Sequence, residues 1–447
     1  MVRNNASRRR FIAMSGMAAV AATAGCTSTS DEPADDTGDD TGDDSPSVNG
    51  GSDDDQGDDG DEDPNGDELS LETSFLSREE YAQPGESFDD FEDESLWSVQ
   101  SGEMEFDEQT AFEGNQSMHL TADGGENIIV ERSVEDVDLT DLDISFELLT
   151  TTPRNIAIYV EFEDTYGSRV NHQLRRITYR ENDVDWFRVC PGVFDIDVVP
   201  PEMDELARMR LVVLNNSEAE VWIDDFRTHE KPDKGYVILC WDDGFVEFYE
   251  DAAEMHDEYG FSAVQAVIPG RSGDAYMSIE QMRERQEAGD EMVMHGTHEP
   301  IHEYEPEEME QRLQNDKQWF INAELEGGDY IIYPHNSFNA TSLDRKNQYH
   351  YCGGCNQSGD VNTTGVHGFD PLVLPRTIGN DLDIAKRSVD MAAAGRNCTI
   401  LNFHRWDNDN TISQDEYAEL LEYIDEKGDE VDVITFDELW QMRMDGH

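Results

Sequence analysis

Basic side chains are scarce: 31 Lys and Arg stand against 102 Asp and Glu in 447 residues, a formal net charge of −71. With so little positive surface to neutralise phosphates, nucleic acid is excluded as a partner. The acidic surplus runs past the low-complexity stretch into segments of folded texture, where so much like charge repels itself in dilute buffer. We read this as salt adaptation, with high ionic strength supplying the screening. Long apolar runs are missing as well, and a mean hydropathy of −0.70 excludes an integral membrane protein. Cysteine is sparse: beyond Cys26 there are only Cys190, Cys240, Cys352, Cys355 and Cys398. An odd number with one close pair does not describe a disulfide framework. Cys352-Gly353-Gly354-Cys355 has the spacing of a local disulfide or of half a zinc site, but no second pair completes the latter, so we take it as structural or incidental.

What is present divides the chain into four stretches: 1–26, 27–85, 86–230 and 235–447. In the first, Ser7-Arg8-Arg9-Arg10-Phe11-Ile12 resembles the twin-arginine export pattern, and an apolar stretch over 13–24, too short to span a bilayer, follows it. Thr23-Ala24-Gly25-Cys26 then resembles a lipobox. These resemblances imply cleavage before Cys26, its lipidation, and a protein held on the extracellular face of the membrane by that lipid alone. Export in the folded state also implies a fold that does not depend on disulfides. The stretch 27–85 opens with Asp, Gly, Ser and Pro and almost nothing apolar, which cannot offset the entropy of ordering; we expect an extended acidic tether.

From 86 to 230 the texture is short alternating runs divided by turn residues. Examples are Ser117-Met118-His119-Leu120-Thr121, Ile156-Ala157-Ile158-Tyr159-Val160 and Met209-Arg210-Leu211-Val212-Val213-Leu214. Strands without a convincing helix predict a β-sandwich. The order of its motifs, ending in Val221-Trp222-Ile223-Asp224-Asp225-Phe226, resembles the jelly-roll carbohydrate-binding modules found beside sugar-active enzymes. Trp97, Trp186 and Trp222 are either sugar-stacking rings or, the commoner use, sandwich core. A short polar hinge with Pro232 follows.

After it, strands predicted over 236–241, 263–268, 291–294, 330–333, 399–403 and 432–435 alternate with helices, so a parallel sheet with helices outside is expected. In such folds reactive groups gather at the C-terminal ends of strands. Asp242 and Asp243, then His295 and His298, then Pro334 and His335, and finally His404 all follow predicted strands. Adjacent carboxylates repel unless a cation lies beside them, so Asp242-Asp243 demands a metal, an arginine or a proton. One aspartate and two histidines make a triad with open positions for water and substrate, and its divalent cation would suit amide or ester hydrolysis. Zinc is the default choice by ligand type, with cobalt, nickel and iron also compatible.

These motifs carry a family resemblance. Over 235–447, Cys240-Trp241-Asp242-Asp243-Gly244-Phe245, the run Gly289 to His295, Tyr330-Ile331-Ile332-Tyr333-Pro334-His335 and Leu401-Asn402-Phe403-His404 occur in the order found in the polysaccharide deacetylases of the NodB homology type, the family 4 carbohydrate esterases. The resemblance implies a distorted (β/α) barrel behind the jelly-roll-like sandwich and a polysaccharide substrate. It implies Asp242 as general base, Asp243, His295 and His298 as metal ligands, and His404 as general acid. Tyr333, Pro334 and His335 would form the substrate and oxyanion wall. The sequence departs from the family twice. His295 and His298 are three apart where four is usual, which leaves Glu299 and His302 as substitutes for the second ligand. The arginine usually found before Pro334 is missing, and Arg376, in Leu374-Pro375-Arg376, resembles the tether that replaces it in one branch. A glycan-binding protein on an inactive barrel is the alternative that these departures keep open. The sequence sets no oligomeric state.

Overall fold

The computed structural model describes residues 69–447 except 74–83, 135–136, 155, 176, 178–183, 216, 272, 297–299, 347–348, 353, 355, 407 and 446–447. Expectations about the signal, Cys26 and nearly all of the tether lie outside the described residues. Asn65–His447 form one compact unit.

Two six-stranded antiparallel sheets come first. One runs in the order Glu103–Asp107, Ser117–Ala122, Ala219–Glu230, Leu142–Thr150, Phe187–Val189, with Glu86–Asp89 also on Ala219–Glu230. The other runs Val193–Ile196, Arg169–Arg175, Ile156–Asp164, Leu206–Asn215, Ile128–Ser133, Ser98–Ser101. Strict alternation explains them: in Ile156–Asp164, Ile156, Ile158, Val160 and Phe162 are buried while Ala157, Tyr159, Glu161 and Glu163 are only partly covered. The buried rows of both sheets join one core. Of the three tryptophans, Trp97 is core: it stacks on Phe91 and its indole N–H donates to Asp89 at 2.9 Å. Trp222 is partly covered, stacked on His119 at 4.3 Å with its N–H on Asp107, and Trp186 lies 5.9 Å from Phe112.

Nine parallel strands follow: β1 (Gly235–Asp243), β2 (Val264–Val267), β3 (Glu291–Met294), β4 (Tyr330–Ile331), β5 (Tyr351–Cys352), β6 (Asn356–Ser358), β7 (Pro375–Ile378), β8 (Cys398–Phe403) and β9 (Val431–Val433). Their order is β5-β4-β3-β2-β1-β8-β7-β6, with β9 beside the first residues of β1. Laid flat, the eight strands of that path would separate β5 from β6 by about 34 Å at the usual spacing. Yet Cys352 and Asn356 are four residues apart, a reach of about 14 Å at most. The sheet therefore curls into an incomplete barrel, with β5 and β6 at its seam.

Helices Ile279–Glu287 and Gln414–Lys427 each begin with a reciprocal capping box, Ser278 with Gln281 and Ser413 with Glu416. The helix Phe436–Asp445 is capped from afar: the buried Glu291 carboxylate accepts the N–H groups of Phe436 and Asp437 at 2.9 and 3.1 Å. Burial, reinforced by the charge of Asp437, pushes the pKa of Glu291 up to about 8.

The expected hinge is fastened down. The strand Ala219–Glu230 runs into its first residues, the Lys231 N–H donates to the Asp141 carbonyl at 2.9 Å, and the Lys231 ammonium lies 3.7 Å from buried Asp143. Asn397, just before β8, donates to the same Asp143 carboxylate and accepts the Val193 N–H at 2.8 Å. Sandwich and barrel thus meet through buried polar contacts that the polar composition of the connection did not reveal.

Candidate active site

The site begins with β1, whose residues from Val237 to Trp241 are all buried, so that its register delivers Asp242 and Asp243 to the barrel mouth. Trp241 anchors that end: its indole N–H donates to the Tyr417 hydroxyl at 3.1 Å, leaving the hydroxyl proton for His256 Nε2 at 2.6 Å. The chain then turns sharply through two left-handed residues, Asp243 (φ 75°) and Gly244 (φ 70°). A Cβ on Gly244 would also stand 3.0 Å from Val267 Cγ1, so a side chain there would meet both backbone strain and a tight contact.

Asp242 is buried and paired with Arg376, whose Nη1 lies 2.9 Å from Oδ1 and 3.1 Å from Oδ2. Arg376 projects from β7, two strands from β1. Burial alone would raise the Asp242 pKa, but the charge of Arg376, helped by His295 and His404, outweighs it and holds the carboxyl at about 2. Room for the arginine comes from Gly354, at φ 129°, where a Cβ would fall 2.6 Å from Arg376 Cδ. The Cys-Gly-Gly-Cys stretch thus has a packing function at this glycine; Cys352 and Cys355 themselves lie outside the described side chains.

Asp243 faces His295. Its Oδ1 stands 3.5 Å from Nε2, while the His295 Nδ1–H donates to the Ile332 carbonyl at 3.2 Å and fixes the ring. Burial opposes ionisation of both. The hydrogen bond and charge between them prevail, lowering the pKa of Asp243 and raising that of His295. A carboxylate oxygen and an imidazole nitrogen converging beside an already neutralised aspartate are donors that fit a divalent cation of the zinc type. His298 and Glu299 lie outside the described residues. His302 is turned to the next loop, its Nδ1 2.8 Å from the Ser337 hydroxyl. Among the described residues no three acidic, histidine or cysteine side chains converge as a metal-binding group.

His404 follows β8 and places Nε2 3.7 Å from Asp242 Oδ2. Its backbone N–H donates to Thr411 Oγ1 at 2.6 Å, a contact that no motif signalled. Among the described residues its buried Nδ1 has no partner. Of the three wall residues, Tyr333 is fully buried, its hydroxyl donating to the Leu372 carbonyl at 2.9 Å and its N–H to the Gly354 carbonyl at 3.4 Å. Pro334 is buried against Gly296, where a Cβ would approach it to 3.3 Å. His335 is exposed, and it and Asn336 are left-handed in succession (φ 55° and 50°), so the turn thrusts the His335 ring outward.

The fold and site are those of an incompletely closed parallel-stranded barrel with paired carboxylates at its mouth. Residues 229–353 match the polysaccharide deacetylase family. The match holds Asp242, Asp243, His295 and the turn Tyr333 to His335; Arg376 and His404 fall beyond it. No curated protein matches the chain. Among solved structures, the carbohydrate esterase family 4 domain of a xylanase from the hindgut metagenome of Trinervitermes trinervoides is 16% identical, covers 47% of this chain and 92% of its own, and has a TM-score of 0.33. A mutant peptidoglycan deacetylase from Bacillus subtilis is 13% identical, over 48% and 94%, with a TM-score of 0.34. A family 11 carbohydrate-binding module from Clostridium thermocellum is 17% identical, over 33% and 95%, with a TM-score of 0.25.

Proposed function

We propose that this chain is a metal-dependent hydrolase that removes N-acetyl, or O-acetyl, groups from an extracellular polysaccharide. The observation that carries the reading is the meeting, at one end of the parallel sheet, of an arginine-held aspartate, an Asp–His pair and a further histidine contributed by β1, β3, β7 and β8. The family match over 229–353 supports the same activity. In this reading Asp243, His295 and His298 hold a divalent cation, zinc by donor type. When bound, such an ion lowers the pKa of water and polarises the acyl oxygen. Asp242, kept anionic by Arg376, takes a proton from the attacking water, and His404 gives one to the leaving nitrogen. His335 and the backbone of its turn line the substrate side.

Asp243→Ala is expected to lose both bound metal and acetate release from acetylated chitooligosaccharides in high salt. Undiminished turnover would refute the proposal. A metal-replete wild type that binds the oligosaccharide without releasing acetate would support the glycan-binding alternative instead. We assign the sandwich to the jelly-roll carbohydrate-binding type and the chain to the outer membrane face, anchored by lipid on Cys26. In cells of the native host, Cys26→Ala should move the protein from the membrane fraction to the medium; retention on the membrane would exclude that anchor.

A further inference from the structure

The connection from β6 to β7 is gripped on both sides. The sandwich holds one: the Arg175 N–H donates to Asn362 Oδ1 at 3.0 Å, the Gly192 N–H to the Thr363 carbonyl at 2.9 Å, and the Gly365 N–H to the Cys190 carbonyl at 3.0 Å. Thr363 Oγ1 donates back to the Val193 carbonyl at 2.9 Å. Contact is close enough that a Cβ on Gly192 would fall 2.7 Å from the Thr363 carbonyl carbon. The other side belongs to the reactive half of the sheet. The Asn362 N–H donates to Thr377 Oγ1 at 3.1 Å, Asn362 Nδ2 to the Arg376 carbonyl at 3.4 Å, and Thr364 exchanges both backbone bonds with Cys398 at 2.9 and 2.8 Å. Those partners stand on β7, which carries Arg376, and at the start of β8, which leads to His404.

We propose that the sandwich is part of the catalytic framework, and that Asn362 is the positioning residue through which it sets Arg376; this rests on the role given above to Arg376 as the tether of Asp242. Asn362 is 1% exposed, and its amide joins the last residue of a sandwich strand to the backbone of the tether. Deleting the amide leaves the Arg175 N–H and the Arg376 carbonyl each short of a partner beside a buried side chain. Catalytic geometry is sensitive to shifts of about 1 Å, so the start of β7 is where a loss of registry would reach Asp242.

The test uses the full-length, metal-loaded protein in high salt with acetylated chitooligosaccharide. Asn362→Ala should lower kcat about 10- to 100-fold with KM changed less than about twofold. Hydrogen exchange should quicken in peptides covering β7 and the start of β8 while the sandwich strand Leu206–Asn215 keeps its protection. Asn362→Ser, which retains a small hydrogen-bonding group should the alanine variant not accumulate, should give the same pattern at smaller amplitude. The control is Arg396→Asn, which breaks a different sandwich contact, that of Arg396 with the Thr140 carbonyl and Asp141 at 3.0 and 2.8 Å. Asparagine tolerates the left-handed backbone there, and kcat should stay unchanged. Unaltered exchange at β7 in the Asn362 variants, or an equal loss of kcat in the control, overturns the proposal. If the wild type releases no acetate, the deacetylase reading fails by itself and the exchange comparison alone decides this one.

Discussion

Replacing Arg376 by methionine isolates the energetics on which the site depends. The Arg376 and Asp242 side chains are 2% and 4% exposed and meet at 2.9 Å, so neither charge is restored to water when its partner goes. Two unit charges about 4 Å apart attract by about 4 kcal/mol at the effective dielectric suited to protein sites. Breaking a buried pair from one side typically costs about 3–5 kcal/mol, because the remaining charge is stranded. The expected loss for Arg376→Met is therefore about 3–5 kcal/mol, read from urea unfolding at neutral pH and fixed high salt. The double variant Asp242→Asn with Arg376→Met removes the stranded charge and should recover at least about 2 kcal/mol of that loss. Both variants should be inactive, which separates stability from catalysis. A single-variant cost below about 1 kcal/mol, or a double variant no better than the single, would refute the account of the pair as a mutually dependent unit.

Glu291 supplies a pH prediction with the opposite sign to a salt-bridged carboxylate. Its folded pKa of about 8 lies above the ordinary 4.5, so the folded state binds the extra proton in between and stability falls as pH rises through that window. Glu291→Gln should flatten the fall, with the difference from wild type growing by a few kcal/mol between about pH 5 and 8; parallel stability curves would contradict it. Together with the Asp243, Cys26 and Asn362 variants above, these measurements test metal binding, anchoring, framework and charge separately.

Much of the barrel was legible because β1, β3 and β8 are buried runs ending in polar residues, a pattern that sequence carries locally. The strands β4, β5 and β6 are two or three residues long and too short to show a period; β4 was expected over 330–333, and β5, β6 and the helix Phe436–Asp445 were not anticipated. Asp242, Asp243 and His295 could be singled out by their place after strands, and Arg376 by its resemblance to a known substitute. Gly354 could not, since its reason is a side chain arriving from β7. Nor could the clamp on Asn362, whose partner Arg175 is 187 residues away. The contacts around the connection were hidden for the same cause: Lys231 and Asn397 look like surface polar residues until Asp143 is placed between them. Trp222, left between sugar-stacking and core by the sequence, is only partly covered between buried Val221 and Ile223, and nothing local told of His119 lying flat against it.

Among the described residues the ring of parallel strands stops one pairing short of closure, and Arg376 reaches from β7 to β1 past the intervening β8. That side chain is a chord drawn across an arc. Flattening the arc lengthens the chord, so spreading of the seam between β5 and β6 works directly against a buried ion pair. The same ion pair that keeps the aspartate ionised also acts as the tie-rod of an unclosed barrel.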